Sequence, residues 1–140
     1  MALRAVLFDA GGTLIHPDYP RVAAVLDRVV GRAPAPEAFL EAEYAGRAAV
    51  EAAMTADRGS TDGRRWVVHF GAMFGSLGYT EGEIRAAAPH VQAEHARANL
   101  WTVPQRGAAE GLASLKKAGY TVACVSNADG TVDRLLAGAG

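Results

Sequence analysis

Cysteine and lysine are nearly missing from this chain: one cysteine, Cys124, and two lysines, Lys116 and Lys117, stand among 140 residues. A single cysteine rules out a disulfide framework or a cysteine-built metal cluster and points to a reducing compartment. Long apolar runs are missing too. No span of about 18 apolar residues occurs, and the apolar N-terminal stretch meets Asp9 before it reaches signal-peptide length. Neither a membrane span nor a secretory leader is expected, and the cytoplasm is the expected location. A net charge of -1, from 14 basic and 15 acidic residues, leaves no basic field for nucleic acid. No internal repeat or low-complexity segment stands out beyond an alanine bias.

What is present is a globular composition, with 50% hydrophobic and 21% charged residues, in a length that suits one domain or one domain with an insert. In the stretch RAVLFDAGGTLIH, Arg4 to His16, an apolar run ends in one carboxylate and a glycine pair. Residues 3 to 9 lack polar alternation, which predicts a strand buried on both faces; Gly11 and Gly12 permit the turn that follows. Four helices are then expected. Val22, Val25, Leu26, Val29 and Val30 recur at helical spacing after Pro20, and Pro36 to Arg58 carries Phe39, Leu40, Tyr44 and Val50. Trp66, Val67, Phe70, Met73 and Phe74 line one face of a third helix, and Thr80-Glu81-Gly82-Glu83 reads as a capping box opening a fourth, which Pro89 should kink or restart. Gly107 to Ala118 reads as a helix stopped by Gly119, Tyr120 to Val125 as a second buried strand, and Thr131 to Ala137 as the start of another helix. The expected order is strand, four-helix insert, helix, strand, helix.

Ligands of open parallel α/β sheets bind beyond the carboxyl ends of the strands. Both polar clusters, Asp9 to Thr13 and Ser126 to Asp129, fall at such ends. A carboxylate held there can act as a covalent nucleophile or a magnesium ligand, and neighbouring N–H groups and hydroxyls can hold phosphoryl oxygens. Thr13 more readily fastens the turn than performs chemistry, while Asn127 and Asp129 suit either a site role or, for Asp129, the cap of the following helix. His16 is a candidate acid/base. His69, His90 and His95 lack metal-ligand spacing to one another, and Trp66, Phe70 and Phe74 read as core of the insert. Arg64 and Arg65 read as a solvated helix start.

The segment FDAGGTL, the helical insert, and then P..G...GL..LKKAGY.....SN resemble the haloacid dehalogenase-like (HAD) hydrolase superfamily, in its helical-cap branch. The resemblance covers the whole chain. It implies an α/β fold, a partial Rossmann-like parallel sheet of the HAD type (residues 1–15 and 101–140, incomplete) with a four-helix cap insert (residues 16–100). It also implies that Asp9 attacks phosphorus, that Mg2+ is held by Asp9 and the Gly11 carbonyl, and that Gly11, Gly12, Thr13, Ser126 and Asn127 bind the phosphoryl group of a small phosphorylated molecule.

Two departures bear on function. The family's second aspartate, which protonates the leaving group, is here Gly11, and loss of a positioned acid/base commonly costs about 10²- to 10⁴-fold. The family's lysine motif and acidic pair have no counterpart after Ser126, because Lys116 and Lys117 precede the Ser strand and are expected to face away from the site. The chain therefore reads as the N-terminal portion of a hydrolase, with weak or absent Mg2+ binding and little activity alone; the alternative is a non-catalytic HAD-like binding or interaction protein. Phosphonatase chemistry needs a cap lysine, and residues 16 to 100 contain none. Self-association through exposed strand edges is a further expectation.

Overall fold

The computed structural model describes residues 3–56, 62–126 and 130–139. Its order is β1 (Ala5–Phe8), β2 (Ile15–Pro17), α1 (Tyr19–Val30), α2 (Pro36–Ala56), α3 (Asp62–Ser76), α4 (Glu81–Arg97), β3 (Trp101–Pro104), α5 (Ala108–Lys117), β4 (Thr121–Cys124) and α6 (Val132–Ala139). The chain separates into two compact units, one formed by residues up to Asp18 and from Asn99 onward, the other by Tyr19–Ala98. Among the described residues no helix is long and apolar enough to cross a membrane.

The first unit is α/β. Strands β1 and β4 pair in parallel, with Ala5 opposite Thr121 and Phe8 opposite Cys124. Parallel strands need a crossover, and α5 packs against β4 as part of it. An apolar cleft of about 260 Å³ lies on the face bearing Phe8, Val122 and Cys124, walled by Leu112 and Lys116 of α5 and Leu136 of α6. The opposite face is open: Leu3 is 69% exposed, Leu7 66% and Val125 61%. The expectation of two strands buried on both faces is therefore corrected. A parallel sheet is buried only where helices lie on both sides, and α6 packs on β3 instead.

Strands β2 and β3 were not expected. They pair antiparallel, His16 opposite Val103 and Pro17 opposite Trp101, with an irregularity between His16 and Pro17. The Asp18 N–H donates to the Leu100 carbonyl at 2.7 Å and the Gln105 N–H to that of Leu14 at 2.7 Å, so this ribbon is hydrogen-bonded from end to end. Ala10, Leu14, Ile15 and Leu100 are buried and form the apolar centre of the unit.

The second unit is helical. Val22, Val25 and Leu26 of α1, Phe39 of α2, Phe70, Met73 and Phe74 of α3 and Val91 of α4 form its core. The Tyr19 and Phe39 rings stack at 5.1 Å. Helices α1 and α4 run antiparallel and are clamped at both ends: Arg21 bonds Glu94 at 2.8 Å, while Arg32 bonds Glu83 at 3.1 Å and lies 4.0 Å from the centre of the Tyr79 ring. The Thr80 capping box forms in full, but α4 continues through Pro89 without restarting. Leu40, Tyr44 and Val67 are exposed at 54%, 73% and 58%. Apolar character alone does not place these residues on the buried face, because that face is set by the helix packed against it.

Candidate active site

Asp9 follows the last residue of β1, and the β1–β4 register fixes what stands next to it. Phe8 pairs with Cys124, and the Val125 N–H donates to the Phe8 carbonyl at 2.8 Å. Asp9 thus leaves the sheet beside Val125, with Ser126 one residue further along the neighbouring chain. Asp9 is exposed and Ser126 half-buried. Partial burial and then the Asp9 negative charge push the Cys124 thiol up from its ordinary value, which places the carboxylate within electrostatic reach of the adjacent strand. The Ala10 N–H donates to Asp9 Oδ1 at 2.8 Å and orients the carboxylate.

The turn beyond Asp9 is closed by its own backbone. The Ala10 carbonyl accepts N–H groups from Thr13 (3.2 Å), Leu14 (2.8 Å) and Ile15 (3.1 Å), and the Gly12 N–H donates to the Ile15 carbonyl at 2.7 Å. Gly12 adopts φ +71°, which explains a glycine there. Thr13 fastens the turn through its N–H, and the Gly11 N–H is not one of the turn-closing donors. Gly11 is not in the left-handed region. A Cβ placed on it would lie 3.5 Å from Trp101 Nε1, an ordinary contact.

His16 lies on β2 and is hydrogen-bonded through Nε2 to the Gln105 side chain. The expectation for Asn127 and Asp129 lies outside the described residues, as does the Arg64 side chain. Among the described residues no three His, Cys, Asp or Glu side chains converge as a metal site. Trp101 and Gln105 were missed in the sequence; the short β-prone run Trp101-Thr102-Val103 is the signal that could have found them.

In the helical unit, buried Glu43 accepts from the Tyr19 hydroxyl and pairs with Arg47 at 2.6 Å. His69 lies against α2 where a Cβ on Gly46 would come within 2.8 Å of its Nδ1. Burial pushes the His69 imidazole below its ordinary value, against the opposing pull of Glu43. His69 and Trp66, which tilts onto Phe70 at 4.6 Å, belong to the packing of α3.

The parallel β1–β4 pair thus sets a carboxylate just past one strand end and leads to a serine just past the next, within an α/β unit. The family model for haloacid dehalogenase-like hydrolases matches residues 3–140, and the chain belongs to that family. No curated protein and no solved structure matches it.

Proposed function

We propose that the site performs phosphoryl transfer from a small phosphorylated metabolite through an aspartyl-phosphate on Asp9. The supporting observation is the β1–β4 register, which sets Asp9 beside the end of the strand that leads to Ser126. Because Oδ1 is engaged by the Ala10 N–H, Oδ2 is the attacking oxygen. It bonds to phosphorus as the ester P–O bond breaks. The Ser126 hydroxyl and the Gly11 N–H hold phosphoryl oxygens where negative charge grows. Position 11 offers no acid, so the departing oxygen takes its proton from water. A second water then hydrolyses the acyl phosphate, releasing phosphate and restoring Asp9.

Mg2+ fits this donor set as a weakly held ion. The Asp9 carboxylate and the Gly11 carbonyl would contribute two of its six oxygen ligands, water and phosphate the rest. Once bound, it would neutralise charge on the phosphoryl oxygens. Residues 16–100 act in this reading as the cap that selects the substrate, residues 1–15 and 101–140 as the HAD-type core, and the cytoplasm is the proposed location.

A non-catalytic binding role is the second reading, favoured by Gly11 in place of an acid. Substitution Asp9→Asn separates the two. It should abolish turnover of aryl phosphates by the protein that carries this chain while leaving its fold intact, since the amide is a poor nucleophile. Retention of most of the turnover would exclude the aspartyl-phosphate route, and absence of turnover in the unmodified protein would favour binding.

A further inference from the structure

We infer that Trp101 is a specificity-determining wall of this site, and that the ligand carries a flat, apolar group on its phosphate. The inference rests on the phosphoryl reading of Asp9 and Ser126 and deepens it. Three observations support it. The indole Nε1 and Cδ1 of Trp101 lie 3.5 Å and 3.6 Å from the point where a Cβ of Gly11 would stand, two residues past the proposed nucleophile. The backbone of Trp101 is fixed on both sides, by pairing with Pro17 and by its N–H donating to Asn99 Oδ1 at 2.8 Å. Trp101 is half-buried as a residue, not sealed in the core.

At Gly11 the chain thus carries no side chain, and an aromatic edge stands at contact distance from the point where one would begin. An acid there would offer a proton and a charge to the leaving group. An indole offers polarizable apolar area and an N–H at its rim. With the phosphoryl group at the Asp9 and Ser126 strand ends, the organic remainder of the ligand lies against this wall. A planar aromatic remainder gains contact that a hydrated polyol does not.

The test compares phenyl phosphate with inorganic phosphate as calorimetric probes of the full chain. The unmodified protein should bind phenyl phosphate about tenfold more tightly, the scale of one aromatic contact. Trp101→Ala should remove that advantage and leave inorganic phosphate affinity within about twofold, whereas Trp101→Phe should retain most of it. Because Trp66 and Trp101 are the two tryptophans, a Trp66→Phe protein reports Trp101 alone. Its emission should shift with phenyl phosphate and not with inorganic phosphate, a readout that does not depend on whether the alanine variant folds. If inorganic phosphate binds but phenyl phosphate is no tighter, or the emission is unmoved, the inference on Trp101 falls and the phosphoryl reading stands. Failure of the unmodified protein to bind either probe overturns both.

Discussion

Gly11 and His69 show what one side chain decides. At position 11 a Cβ meets only the edge of Trp101 at ordinary contact distance, and the backbone needs no glycine. Gly11→Asp should therefore fold, and by supplying a positioned acid it should raise aryl phosphate turnover by about 10²-fold or more. Unchanged turnover in a folded variant would show that something other than a missing acid limits the reaction. His69 makes a prediction about stability. Its imidazole is held below the ordinary value of 6.5, first by burial, so the unfolded chain takes up a proton near that value while the folded chain does not. Stability rises with pH wherever the unfolded state binds more protons. The helical unit should thus lose stability as pH falls below about 6.5, and His69→Gln should flatten that slope. Thermal midpoints measured at about pH 7.5 and about pH 5 check this; an equal slope in the variant would remove His69 as the cause.

Among the elements, the helices were the most legible in the sequence, because each announces itself over several turns. Pro20 and the valine spacing located α1, and the Thr80–Glu83 box located the start of α4. Strands β1 and β4 were legible as apolar runs, but their burial was not, since burial depends on which helices pack on the sheet. Strands β2 and β3, of three and four residues, are too short for any period, and their pairing joins residues 15–17 to residues 101–104 across the helical unit. Asp9 and Ser126 were readable as strand-end polar residues, whereas the approach of Trp101 to Gly11 depends on that long-range pairing. The β1–β4 pair has a consequence of its own. Among the described residues it is a two-stranded sheet, with Leu3, Leu7 and Val125 exposed on one face. Unpaired, apolar strand edges recruit further strands. The chain should self-associate at tens of micromolar, and Leu7→Lys should reduce the association. Sedimentation showing a monodisperse monomer of the unmodified chain would refute this.

At the scale of the whole molecule, an α/β unit and a helical unit are joined in a chain that belongs to the haloacid dehalogenase-like hydrolases. The α/β unit holds the proposed chemistry, and the helical unit is densely packed around Phe39, Phe70 and Phe74. A covalent bond from Asp9 to phosphorus is the central step of the proposed chemistry. The protein carrying this chain should be mixed with an aryl phosphate, quenched in acid to preserve the acyl phosphate, and digested for mass spectrometry. One phosphoryl group on the peptide that contains Asp9, absent from the Asp9→Asn variant, is the predicted result. Turnover without that adduct, or a phosphoryl group on any other residue, would contradict the account.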